Sequence, residues 1–333
     1  MELSFSFIIP VYNRPDEIKE LLESLTKQVT TISFEVVIVE DGSTISSEEV
    51  VKTFQQQLQI SYYYKENSGP GDSRNYGMRV AKGNYFIILD SDCIIPPQYV
   101  SEVAKSLQET YVDCFGGPDA AHDSFTTIQK AINYSMTSFF TTGGIRGSEK
   151  AVNKFQPRSF NMGISKAVFE KTGGFGKIHP GEDPDLTLRI WKAGFNTKLI
   201  STAYVFHKRR ISWKKFYIQV HKFGLVRPIL NEWHPDSKKI TYWFPTVFLF
   251  GLVISIICSL LHFYLPIIVY VIYLTILFID AILKNKNFKV AILAVFATLI
   301  QFYGYGKGFA KATLYVNFLK KNPQHIFPKL FFK

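Results

Sequence analysis

Acidic residues are scarce in the last part of this 333-residue chain. Residues 208–333 hold three, Glu232, Asp236 and Asp280, against 18 Lys+Arg. Residues 1–207 hold 24 Asp+Glu and 20 Lys+Arg, so the net charge of +11 averages a mildly acidic part with a strongly basic one. The basic residues flank long apolar runs, which points to a membrane surface rather than nucleic acid. Cysteine is scarce as well. Cys93, Cys114 and Cys258 form no CxxC pair and no even framework, which excludes a disulfide scaffold and argues against a zinc site. The opening MELSFSFIIPVYN lacks a basic segment and a small-residue cleavage site, so no signal peptide is expected there and the first part is expected to stay cytoplasmic. There is no internal repeat and no low-complexity tract.

What is present begins with alternation. Short apolar runs at Ser4–Pro10, Phe34–Val39, Ile60–Tyr64 and Tyr85–Leu89 read as strands. Helical spacing separates them at Pro15–Lys27, Ser47–Leu58 and Asp72–Lys82. Strands alternating with helices of this length predict an α/β fold with a mostly parallel sheet and flanking helices. Further on, helices are expected at Ser124–Phe140, Lys166–Lys171 and from Gly181–Asp185 to Lys192, with one or two strands in Thr197–His207. Thr142–Gly147 reads as a mobile loop.

The Tyr85–Leu89 strand delivers two carboxylates, Asp90 and Asp92. In an open α/β sheet, ligands bind beyond the carboxyl ends of strands. In extended chain, residues two apart face one side. Paired acids repel unless a cation lies between them, and oxygen ligands suit Mg²⁺ or Mn²⁺. The competing reading is a loop start or helix cap before Pro96-Pro97.

The last part has a different composition. Lys208–Lys239 mixes nine Lys+Arg with Trp213, Phe216, Tyr217, Phe223 and Trp233, the make-up of an interfacial helix. Trp243–His262 carries no formal charge and Leu265–Leu283 only Asp280. Each is near the roughly 20 residues that cross a bilayer. A third run, 290–303, is shorter. The lysines at 284–289 and in the tail favour the cytoplasmic side. The expectation is therefore two crossings, with the third segment interfacial or re-entrant. Three parts are expected: a catalytic domain over 1–207, a basic aromatic linker over 208–242, and a membrane region over 243–333.

Five motifs then fall in order at element ends: Ile8-Ile9-Pro10-Val11-Tyr12-Asn13, Val39-Glu40-Asp41-Gly42-Ser43, Gly69-Pro70-Gly71-Asp72-Ser73-Arg74-Asn75, Asp90-Ser91-Asp92 and Gly181-Glu182-Asp183. Together they resemble the family 2 glycosyltransferases of GT-A fold, a Rossmann-like sheet, over residues 1–207. The resemblance implies an inverting transfer of a sugar from a nucleotide-sugar, a UDP-sugar first, to a glycan or lipid-linked saccharide acceptor. It implies that Pro10, Tyr12 and Asp41 line the nucleobase pocket, with Asp41 accepting from a uracil N–H. It implies that Arg74 reaches the nucleotide, that Asp90 and Asp92 contact ribose and metal, and that His207 helps hold the metal or phosphates. Asp183 is implied as general base, with Glu182 as fallback, and Asn161 and Gly163 as the donor-sugar or acceptor wall. Asp183-Pro184 also reads as a helix N-cap followed by proline at the first helical position.

Two departures stand out. Gly176-Lys177 replaces an acid pair usual after Gly173-Gly174-Phe175. No QxxRW motif is present, so single-sugar transfer is expected rather than processive synthesis. The expected location is a bacterial-type inner (plasma) membrane with the catalytic domain cytoplasmic. Two other readings rank lower. A sugar nucleotidyltransferase would need a glycine-rich loop where this chain has Pro10-Val11-Tyr12-Asn13-Arg14. A non-catalytic nucleotide-sugar-binding protein would not need Asp90, Asp92 and Asp183 together.

Overall fold

The computed structural model describes residues 3–120, 125–143, 155–207 and 212–332. Residues 144–147 of the expected loop and the start of the basic linker lie outside them. In chain order the strands are β1 (Phe5–Val11), β2 (Phe34–Asp41), β3 (Gln59–Lys65), β4 (Tyr85–Leu89), β5 (Cys93–Ile94), β6 (Cys114–Gly116), β7 (Asp119–Ala120), β8 (Asn161–Ser165), β9 (Thr197–Leu199) and β10 (Val205–His207). The helices are α1 (Pro15–Thr26), α2 (Glu48–Lys52), α3 (Pro70–Val80), α4 (Tyr99–Glu109), α5 (Thr127–Thr137), α6 (Phe139–Thr142), α7 (Lys166–Thr172), α8 (Glu182–Lys192), α9 (Trp213–Trp233), α10 (Phe244–Leu260), α11 (Leu265–Asn285), α12 (Phe288–Ala312) and α13 (Pro323–Ile326).

They form two compact units. The first holds β1–β10 with α1–α4, α7, α8 and Phe332. Its main sheet runs β3-β2-β1-β4-β8-β6-β9. The first four strands are parallel; β8 is antiparallel to both β4 and β6. The apolar runs are continuous because both faces are covered. Phe5, Phe7, Ile9, Val36, Ile38, Tyr85, Ile87 and Leu89 pack under α1 and α4. Ile8, Val37, Val39, Phe86 and Ile88 pack on the other face with Met78 of α3 and Leu186 and Ile190 of α8. A small second sheet, β5-β10-β7, sits at the end of the chain path that leaves β4. Its register sets His207 opposite Cys93.

The second unit holds α5, α6 and everything from α9 to Phe331. Three of its helical stretches, Ile240–Leu260, Leu265–Asn285 and Phe288–Phe318, are long and apolar enough to cross a membrane. The last contains the apolar run over 290–303. The helix continues for 31 residues, through α12 and a π-helical turn, Thr313–Phe318. Gly304, Gly306 and Gly308 look like a break in the sequence, but they are packing devices. A Cβ on Gly308 would come within 2.4 Å of the His221 carbonyl of α9, and one on Gly304 within 2.6 Å of Val220. Gly224 of α9 meets the Tyr305 carbonyl at 2.2 Å by the same construction. Small residues at such spacing let helix backbones approach closely. Gly308→Leu is therefore expected to destabilise this unit by about 1–3 kcal/mol, the usual cost of overpacking. A thermal melt in detergent would read this as a lower midpoint; an unchanged midpoint would contradict the α9–α12 contact.

Candidate active site

The site is built where β1, β2 and β4 end. After β1 the chain turns at Asn13, which has φ +54. Asn is among the residues that tolerate this conformation. Its side-chain oxygen accepts from Thr44 N and Ile45 N at 2.8 and 2.9 Å, joining the loop after β1 to the loop after β2. Pro10 is half-buried and Tyr12 stands out at 51% exposed. Arg14, the next basic residue, donates to Asp92 Oδ2 at 2.6 Å.

Asp41 is buried and engaged. Oδ1 accepts from Lys65 Nζ at 2.6 Å and Ser68 N at 3.0 Å. Oδ2 accepts from Gly69 N at 2.9 Å and Asn67 Nδ2 at 3.3 Å. A carboxylate has about four acceptor positions, and all four are taken. In this geometry Asp41 orders the loop that starts α3; the uracil contact implied by the family resemblance would need one of these bonds to break.

Arg74, on α3, is almost wholly buried. It donates to Asp90 Oδ1 at 2.6 Å and to Glu182 Oε1 at 3.3 Å, with Phe175 packed 5.2 Å from its guanidinium. It reaches no open surface, so it acts as the hub of a carboxylate network. Glu182 Oε1 also faces His179 Nδ1 at 2.9 Å. Burial works to raise the Glu182 pKa, but His179 and Arg74 outweigh it and hold the group down to about 2.

Asp183 differs. Burial pushes its pKa up, and the neighbouring Glu182 charge adds to that; Arg158 and Arg74 offset only part. Ser159 Oγ donates to its Oδ1 at 3.2 Å. Asp183 is not the cap of α8. Gly181 is, with φ +118, and the helix begins at Glu182, which places Pro184 third in the first turn. A chain entering from a left-handed glycine leaves both acids in the first helical turn, where the helix dipole favours negative charge.

Asp92 meets His207 through the β10–β5 pairing. His207 Nε2 lies 3.2 Å from Asp92 Oδ1 and 3.9 Å from Asp90 Oδ2. His207 stacks on Phe160, ring centroids 4.8 Å apart. Burial acts to raise the Asp92 pKa, but His207 and Arg14 prevail and hold it well below the usual carboxylate range. Asp92 Oδ1 is buried without a properly angled hydrogen bond. Asp92, Cys93 and His207 offer donor atoms within 4.8 Å of one another. Burial pushes the Cys93 thiol well up, so it stays protonated and is a poor ligand. Two carboxylates and an imidazole are a donor set that fits a hard divalent cation such as Mn²⁺ or Mg²⁺.

Two residues expected at the sugar wall have packing partners in the core. Asn161 is fully buried. Its Oδ1 accepts from Tyr99 Oη at 2.6 Å and its Nδ2 donates to the Ala203 carbonyl at 2.8 Å, so both ends of its amide are tied to the core. Gly163 makes room for the Phe115 ring, which a Cβ would meet at 2.0 Å. Arg14 and His179 are the members of the network that sequence reasoning did not single out. Arg14 was legible only as the one basic side chain in the loop after the first strand.

A family model, Glycosyl transferase family 2, matches residues 6–173. The poly(ribitol-phosphate) beta-N-acetylglucosaminyltransferase TarS of Staphylococcus aureus is 34% identical over 114 residues, 33% of this chain and 20% of TarS. The chain spans between 12% and 22% of the length of three curated relatives it matches. Among solved structures, mannosyltransferase PcManGT from Pyrobaculum calidifontis, in complex with GDP-Man and Mn²⁺, aligns with TM-score 0.56 and 16% identity, covering 97% of this chain and 89% of that one. S. aureus TarS 1-349 in complex with UDP-GlcNAc aligns with TM-score 0.50 and 18% identity, covering 96% and 93%. At these identities the likeness bears on fold.

Proposed function

The chain belongs to glycosyl transferase family 2, and from that premise we propose that it is a membrane-anchored inverting glycosyltransferase. It would move a sugar from a nucleotide-sugar to a glycan or lipid-linked saccharide. The observation that carries this reading is the cluster at the carboxyl end of β4: Asp90 and Asp92 facing His207, with Asp183 and the Arg74-bound Glu182 beside Asp90's partner. A UDP-sugar is the first donor to test, since the TarS structure holds UDP-GlcNAc; the GDP-Man of PcManGT makes a guanosine donor the second.

Each residue's work follows from its surroundings. Asp92, Asp90 and His207 would hold a divalent cation, and such an ion neutralises the charge that grows on a departing diphosphate. Arg14 keeps Asp92 ionised and in place. Arg74 holds Asp90 in place and helps keep Glu182 ionised. Asp183 would take the proton from the acceptor hydroxyl as its oxygen attacks the anomeric carbon from the face opposite the diphosphate; one such displacement inverts that carbon. Of the two acids at the start of α8, Asp183 is the better base. Its pKa lies nearer the working pH, whereas Glu182 is held down by two partners. Tyr12 and Pro10 would wall the nucleobase. The apolar helices would set the chain in a bilayer, with the catalytic unit cytoplasmic and a lipid-linked saccharide as acceptor.

A nucleotide-sugar panel read by thermal stabilisation, with and without Mn²⁺, tests this. One donor class is expected to raise the melting midpoint in a Mn²⁺-dependent way, and Asp92→Ala to abolish the Mn²⁺ dependence. Stabilisation by no donor would overturn the donor reading. An Asp92→Ala variant responding like the parent would overturn the metal assignment.

A further inference from the structure

The chain leaves the sheet after β7 and returns at β8. Between them, α5 and α6 belong to the helical unit, not to the sheet. Their partners descend along α11. Ala131 and Tyr134 cluster with Ala281, Ala291 and Ala294. Tyr134 Oη donates to Asp280 Oδ2 at 2.6 Å and to the Leu277 carbonyl at 3.1 Å. Ser138 Oγ donates to Asp280 Oδ2 at 3.2 Å, and Tyr273 Oη donates to the Phe140 carbonyl at 2.8 Å. The segment thus runs antiparallel to α11, from its Lys284 end to about its middle. At 1.5 Å per residue, Tyr273 lies roughly 16 Å from Lys284, about half the thickness of a bilayer's hydrocarbon core.

We propose that Thr127–Gly143 is a re-entrant arm whose α6 end is embedded among lipid acyl chains beside α11. The inference rests on the reading that α10 and α11 cross a bilayer. Three features of the segment support it. Lys130 is its last charged residue; none occurs from Ala131 to Gly143. Its hydroxyls turn inward. Ser135 donates to the Ile132 carbonyl, Thr137 to that of Asn133, and Thr141 and Thr142 both to that of Ser138, at 2.8–3.0 Å. The break between α5 and α6 at Ser138 is also satisfied, its carbonyl accepting from Thr141 N and Thr142 N. Backbone that leaves the helix at membrane depth must find such partners, because lipid supplies none. Finally, Phe139 and Phe140 at the tip are 67% and 43% exposed, continuous with the apolar face of α11 through Tyr273. Asp280, the one acid of α11, is explained by the same contact. It ties the arm to the helix while Lys284 Nζ, 3.0 Å away, balances its charge.

The test uses the full chain in phospholipid vesicles with a bimane label at Phe139→Cys in a Cys258→Ser background, Cys93 and Cys114 being buried. Ile276→Cys on α11 and Glu49→Cys on α2 serve as references. Lipids carrying a nitroxide on the acyl chain are expected to quench Phe139→Cys as strongly as Ile276→Cys, and to leave Glu49→Cys bright. If Ile276→Cys is quenched and Phe139→Cys is not, the arm lies outside the bilayer and the proposal falls while the membrane reading stands. If neither is quenched, the membrane reading falls and takes the proposal with it.

Discussion

Asp183→Asn is expected to cut sugar transfer by about 10²–10⁴-fold, the usual worth of general-base assistance, while nucleotide-dependent stabilisation stays at the parental level. The substitution keeps the size and one acceptor oxygen for Ser159 and removes the negative charge together with the ability to take a proton. Its surroundings sharpen the test. Burial and the Glu182 charge raise the Asp183 pKa, and a base works only when deprotonated. Parental activity should therefore fall as pH drops through that raised pKa, and the residual activity of the variant should lose this limb. Glu182→Gln separates the two acids. If Glu182 were the base, its variant would lose the acid limb and Asp183→Asn would keep it. An Asp183→Asn enzyme transferring at the parental rate would end the assignment.

How much of this was legible beforehand depends on what kind of information each residue carries. The paired acids were readable because a parallel sheet gathers ligands beyond the carboxyl ends of its strands; the extended geometry expected for them was not met, since β4 ends at Leu89 and Asp90–Cys93 forms a turn closed by Cys93 N donating to the Asp90 carbonyl at 3.1 Å. The sheet itself was readable from apolar runs buried on both faces. His207 is 115 residues from Asp92 and joins it only through the two-residue register of β10 on β5, which no local pattern encodes; only the family resemblance suggested it. Asn161 and Gly163 came from the same resemblance, and their packing partners, Tyr99 and Phe115, are visible only in the fold. The packing role of the α12 glycines was not legible because their partner is another helix, α9, some 80 residues earlier. Local grammar found the elements; long-range pairing decided what the residues in them do.

Arg74→Met is expected to be the most destabilising single change at the site, by about 3–5 kcal/mol, because removing one partner of a buried ion network leaves the others uncompensated. Arg74 holds two carboxylates at once, Asp90 at 2.6 Å and Glu182 at 3.3 Å. Deleting it leaves Glu182, itself only 5% exposed, with His179 as its remaining ionic partner among the described residues. Arg74→Lys should not rescue, since one ammonium cannot span two carboxylates as a guanidinium fork does. Acid supplies an independent readout. Glu182 has a folded pKa of about 2 against an ordinary value of 4.5. A carboxylate with a depressed folded pKa contributes stability that is present above its ordinary pKa and lost as pH falls toward the folded one. The parent should therefore lose stability across that window, and Arg74→Met should lose less there, having already forfeited part of the interaction. Denaturant melts at neutral pH and at pH values through the window measure both effects. Equal acid sensitivity in parent and variant would show that Arg74 does not set the Glu182 charge, and would remove the hub from the site.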